Sequence, residues 1–167
     1  VDGDADRIGA VDGEGRIIWG DQLLVLFGRD ILTRQPGATF VSEVKCSQAL
    51  FDDIAAHGGR AIMWKVGHSL IKAKMKEEKA VLAGEMSGHI FYKDGFYGHD
   101  DALYVAVRLL DILARGTRTM TGLKDAMPVA YNTPEVRFDC PEERKFAAIA
   151  EVKANLARER AEVNDID

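Results

Sequence analysis

Residues 39–65 read TFVSEVKCSQALFDDIAAHGGRAIMWK, and this stretch decides the fold class. It opens on a short β-branched and aromatic run, 39–44, with the composition of a buried strand. Ser47 then stands as a helix N-cap ahead of Leu50, Ile54 and Ala55, and Gly58-Gly59 stops that helix. A second apolar run, 61–65, follows at once. Strand, helix and strand in so short a span predict a βαβ unit with both strands parallel in one sheet.

The pattern extends in both directions. Upstream, 8–11 and 16–19 flank Asp12-Gly13-Glu14-Gly15 and predict a hairpin. Gly20-Asp21 offers an N-cap to a helix carrying Leu23, Leu24, Leu26, Phe27 and Ile31, ended by Gln35-Pro36-Gly37. Downstream, 69–79 reads as a helix whose lysine-rich face is solvated. Two strands, 81–84 and 89–93, surround the loop 85–88. The clearest helix is 100–115, with Leu103, Val107, Leu110 and Ile112 as its apolar face. A short helix at 122–126 follows, then a boundary at Thr133-Pro134, a helix over 142–158 and a polar tail. The fold class this predicts is α/β with a mostly parallel sheet.

Composition narrows the function. In 167 residues, 47% are hydrophobic and 29% charged, the balance of a globular chain. The net charge is −5 and no basic stripe appears, which argues against a nucleic-acid partner. No apolar run reaches bilayer length, so no membrane partner is expected, and no obligate protein partner is evident. Cys46 and Cys140 match no zinc spacing and read as reduced thiols of a cytoplasmic protein. The chain opens at Val1 on a chemically loaded motif, which predicts a piece of something longer.

That motif is Asp2-Gly3-Asp4-Ala5-Asp6-Arg7. Carboxylates at every second position, separated by tiny residues, let a tight loop wrap one hard cation such as magnesium or manganese. Arg7 offers a forked donor to a phosphoryl oxygen. An EF-hand is excluded, because Arg7 stands where its glycine and Gly13 where its glutamate belong. A solvated acidic turn is the alternative. In Gly84-Glu85-Met86-Ser87-Gly88-His89, Glu85 and Ser87 project hydroxyl-binding groups from a glycine-bounded loop; a plain hairpin connection with polar decoration is the rival. Lys65-Val66-Gly67-His68-Ser69 leads a strand into a helix N-terminus, a natural anion site that His68 would border. Lys45 ends the preceding strand; a structural or idle histidine is the rival for His68, and a salt-bridged surface lysine for Lys45. The strand ends at Lys45 and Lys65 and the Glu85 loop would all line the carboxyl edge of one sheet, where α/β folds place ligands.

Taken together, Asp2 to Arg7, Val44-Lys45-Cys46, Lys65 to Ser69 and Gly84 to His89 resemble the α-D-phosphohexomutase superfamily, in its bacterial phosphomannomutase/phosphoglucomutase branch. The resemblance runs from Val1 to the end. It implies that 1–18 end metal-binding domain 2 and that 19–130 are sugar-binding domain 3. Residues 131–167 would be a linker and the first helix of phosphate-binding domain 4. For domain 3 it implies a three-layer arrangement with a mixed, mostly parallel four-stranded sheet between helices. Asp2, Asp4 and Asp6 are the implied magnesium ligands, held weakly or not at all here because the phosphoserine lies outside the chain. Arg7, Lys45 and His89 are the implied catalytic residues. Lys45, His68, Glu85, Ser87 and His89 are implied to bind a hexose phosphate. The implied activity interconverts hexose 1- and 6-phosphates through a bisphosphate, with this piece inactive alone. A phosphoglucosamine mutase piece or a non-catalytic sugar-phosphate module are the alternatives. Ala5 and Val66 depart from the family's usual Gly and Thr.

Overall fold

A computed structural model of the chain describes residues 1–129, 137–163 and 166. These fall into two compact units, divided between the first and second described stretches. The predicted boundary at Thr133-Pro134 lies outside the described residues.

The first unit begins with an antiparallel hairpin of β1 (Ala10–Val11) and β2 (Ile17–Ile18), paired Ala10 with Ile18. Its turn is closed by Asp12, whose buried carboxylate accepts the Glu14 and Arg16 backbone N–H groups and pairs with the Arg16 side chain. Then follow α1 (Gly20–Arg34), β3 (Thr39–Glu43), α2 (Gln48–Ala56), β4 (Arg60–Trp64), α3 (His68–Glu77), β5 (Leu82–Gly84), β6 (Ile90–Tyr92), α4 (Ala102–Arg115) and α5 (Met120–Asp125). The sheet order is β4-β3-β5-β6. β3 runs parallel to β4 and to β5, and β6 returns antiparallel to β5. This is the mixed, mostly parallel four-stranded sheet between helices that the resemblance implied.

Strand alternation splits the core in two. Phe40, Leu82, Ile90 and Tyr92 face the layer of α1, α2 and α4, where Leu23, Phe27, Ile31, Ile54 and Val105 are buried. Phe27 meets Tyr92 edge to face with ring centroids 5.4 Å apart. Val41, Ala83 and Phe91 point to the other side, onto Ile71 and Met75 of α3. Removing each of these large side chains from water stabilises the fold by about 1.5–3 kcal/mol.

Three readings are corrected. The stripe Leu103, Val107 and Leu110 is exposed, and α4 packs through Ala102, Val105 and Leu109. Ser47 precedes α2 but its hydroxyl makes no cap bond; its backbone N–H donates instead to Asp21 Oδ2 at 3.0 Å. Lys72 and Lys74, read as part of a solvated face, are engaged: Lys72 with Asp100 and Lys74 with Glu77 and Glu78. In the second unit a 3-10 turn (Glu142–Arg144) leads into α6 (Lys145–Arg158), none of whose residues is buried. Among the described residues no helix is long and apolar enough to cross a membrane.

Candidate functional site

Because β3, β4 and β5 are parallel, the turns that leave them, at 44–47, 65–67 and 85–88, emerge at one edge. His89, at the start of the antiparallel β6, joins the same edge. Hydrogen bonds tie these turns together. Gly67 donates its backbone N–H to Glu85 Oε1 at 3.2 Å, and Ser87 Oγ donates to Glu85 Oε2 at 3.1 Å. So the anion met by the turn into α3 is the chain's own Glu85. The Met86 N–H donates to Glu43 Oε1 at 2.8 Å, and Lys45 Nζ lies 3.7 Å from Glu43 Oε2. Glu43 is fully buried and Glu85 nearly so, while Lys45, His68 and Ser87 are exposed. Burial pushes the Glu43 carboxyl above its ordinary range, against the Met86 N–H and the Lys45 charge.

The acidic loop reaches this edge through the backbone. Arg7 pairs with His89 in an isolated antiparallel bridge, and the Ile8 N–H donates to the Gly88 carbonyl at 3.1 Å. Gly88 is required there: its φ is +99°, and an added Cβ would sit 2.4 Å from the Ile8 carbonyl oxygen. Within the loop, carboxylate oxygens of Asp2, Asp4 and Asp6 lie within 4.8 Å of one another. Arg7 Nε donates to Asp2 Oδ2 at 2.6 Å. Desolvation is the largest influence on Asp2 and works upward, but the hydrogen bonds and charge of Arg7 outweigh it and hold this carboxyl below its usual value. Asp6 Oδ1 is shielded from water with no hydrogen-bond partner, Arg7 Nε being 3.7 Å away. A hard divalent cation fits this donor set: all-oxygen ligands, and one buried oxygen left without a donor.

Two neighbours escaped the sequence reading. His89 Nδ1 lies 3.1 Å from Asp100 Oδ2 and 3.7 Å from Asp6 Oδ2. Lys72 Nζ lies 3.2 Å from Asp100 Oδ1. The His89 ring stacks with His68 at 5.9 Å and with Phe91 at 6.5 Å. A contact path therefore runs from the acidic loop through His89 to the turns bearing His68, Glu85 and Lys45.

A family model described as phosphoglucomutase/phosphomannomutase, alpha/beta/alpha domain III, matches residues 19–131. A phosphomannomutase/phosphoglucomutase of Pseudomonas putida is 47% identical over 166 residues, a match covering 99% of this chain and 36% of that protein. A crystal structure of a phosphoglucomutase/phosphomannomutase family protein from Burkholderia thailandensis superposes with a TM-score of 0.75 at 49% identity, covering 79% of this chain and 29% of that one. The fold is also shared by the N-acetylphosphoglucosamine mutase of Aspergillus fumigatus, solved with GlcNAc-6P and magnesium, at a TM-score of 0.63 and 16% identity over 77% of this chain and 34% of that one. The chain spans about a third of the length of the curated relatives it matches.

Proposed function

The chain belongs to the phosphoglucomutase/phosphomannomutase family through its alpha/beta/alpha domain III, and on that premise we propose that it carries the metal loop and the sugar-reading domain of a hexose-phosphate mutase. In this reading 1–18 close a metal-binding domain, 19–130 read the sugar, and 131–167 begin a phosphate-binding domain. The observation that carries it is the hydrogen-bonded edge on which Glu85, Ser87 and His89 meet the acidic loop.

Each residue's task follows from its setting. The Glu85 carboxylate accepts from Gly67 and Ser87, and its roughly four lone-pair sites leave two for sugar hydroxyls. Because its partners already hold it, little ordering remains when a sugar arrives. Ser87 is exposed beside it and, with its hydroxyl proton given to Glu85, offers its oxygen as an acceptor to a sugar hydroxyl. Lys45 and His68, both exposed on the rim, meet the phosphorylated end. His89 lies beside the reacting hydroxyl. Arg7 turns its fork from Asp2 to a phosphoryl oxygen. Asp2, Asp4 and Asp6 would hold magnesium, which when bound neutralises charge on a phosphoryl group in transit. The phosphoserine that donates that group belongs to the remainder of the mutase. The chain alone is therefore expected to turn over no hexose phosphate.

The test is an NMR titration of this chain with mannose 1-phosphate and glucose 1-phosphate, each with and without magnesium. Expected are shifts centred on Gly67, Glu85, Ser87 and His89, strengthened only when magnesium is in large excess, because the loop alone holds the ion weakly. Shifts indifferent to magnesium would favour a plain sugar-phosphate module. Shifts on the far edge of the sheet, or turnover by this chain alone, would overturn the reading.

A further inference from the structure

His89 stands between the acidic loop and the 85–88 turn, and Asp100 and Lys72 stand behind it. Asp100 Oδ2 is 3.1 Å from His89 Nδ1, while Asp100 Oδ1 takes Lys72 Nζ at 3.2 Å. Asp100 itself is anchored. It pairs with Phe91 in an isolated antiparallel bridge, and just after it the Ala102 N–H donates to the Ala5 carbonyl at 3.0 Å. Its side chain is only 12% exposed. Lys72 is held in turn, its ammonium 5.5 Å from the centre of the Phe91 ring.

The His89 ring is thus constrained in two ways. Stacking against His68 and Phe91, at interplanar angles of 20° and 4°, sets its plane. The Asp100 carboxylate, an acceptor only when ionised, stands at Nδ1. We propose that Asp100 is a positioning residue that holds His89 as the Nδ1–H tautomer, with Lys72 orienting Asp100, so that Nε2 keeps a lone pair for a substrate hydroxyl. This rests on the placement of His89 in the sugar-phosphate site. A carboxylate behind an imidazole is the general arrangement that fixes tautomer and ring orientation together. The ammonium on Asp100 argues for this role over a cation held by Asp6, His89 and Asp100, since it would repel one.

The experiment reads the tautomer directly, by long-range 15N–1H correlation of His89 in this chain at a pH where the ring is neutral. Expected is a dominant Nδ1–H signature in the unaltered chain. Asp100→Ala should shift the ratio several-fold toward the Nε2–H form that free histidine favours, and Asp100→Glu should restore it. Lys72→Met should shift it less. A dominant Nε2–H form in the unaltered chain, which needs no variant to detect, overturns the proposal. So does a ratio unmoved in Asp100→Ala with the β6 amide shifts preserved. Failure of the site reading looks different: the tautomer obeys Asp100, but mannose 1-phosphate leaves the His89 signals where they were.

Discussion

Glu43 Oε1 accepts the Met86 backbone N–H at 2.8 Å, fastening the 85–88 loop to the end of β3. The other oxygen, Oε2, is buried without a hydrogen-bond partner. Burial raises this carboxyl, and the nearby Glu85 charge adds to the effect. A raised folded-state value means the unfolded chain sheds this proton first as pH rises. The stability it contributes is complete below the ordinary carboxyl range and is lost as pH climbs through the raised value. Glu43→Gln keeps the acceptor for Met86 and removes that loss, so urea unfolding across a pH series should show a flatter profile and equal or greater stability near neutrality. Glu43→Ala strands the Met86 N–H and should cost about 1–3 kcal/mol. A Gln variant retaining the full pH slope would refute this account.

Ala5 occupies the left-handed region at φ +63°, at the position where the resemblance has glycine. An L-residue there costs roughly 1–2 kcal/mol, against about 0.5–1 kcal/mol that glycine loses in chain entropy. Ala5→Gly should therefore raise stability by about 0.5 kcal/mol, a Tm gain of roughly 1–2 °C. Ala5→Val should lower it by more. Calorimetry on the pair decides, and a Gly variant that melts earlier contradicts the strain argument.

A methyl group on Gly20 would lie 2.4 Å from the Glu85 carbonyl oxygen and 2.8 Å from that of Met86. Both are backbone atoms, so the loop itself would have to move. Gly20→Ala is expected to cost about 1–3 kcal/mol, and to shift the amide resonances of residues 85–88 in the absence of any ligand. Unchanged loop resonances would count against the close approach.

The Tyr92 hydroxyl is buried with no hydrogen-bond partner, and burial raises its pKa well above the ordinary phenol value. Its ring contacts with Phe27 and Tyr104 do not need the oxygen. Tyr92→Phe should leave stability unchanged or raise it by up to about 1 kcal/mol. A loss larger than that in chemical denaturation would reveal a polar role for the hydroxyl.

What could be read from residues alone follows the range of the interaction. The strands at 39–44 and 61–65 and the helix between them are short-range patterns, and they form with ends moved by a residue or so. The acidic loop likewise declares itself by spacing. Asp100 and Lys72 did not, because a fold must close across 11 and 28 residues before they meet His89 and each other. Glu43 looked like an ordinary strand residue, since nothing local shows that its side chain ends beneath Met86. In α4 the periodicity identified a helix but carried two apolar stripes, and small Ala102 with Val105 and Leu109, rather than the bulkier Leu103 and Leu110, turned inward. Periodicity names the element; only the shape of the neighbouring sheet chooses the side.

The main-chain stitch of Ile8 to Gly88, with Arg7 laid beside His89, acts as a ruler. It sets the span from Asp6 to Ser87 by peptide geometry rather than by the looser fit of side chains. Thermal breathing of the rim cannot lengthen it without first stripping those backbone bonds. Any hinge near this edge has to lie elsewhere, and the acidic loop and the 85–88 turn on either side of the stitch are expected to move together.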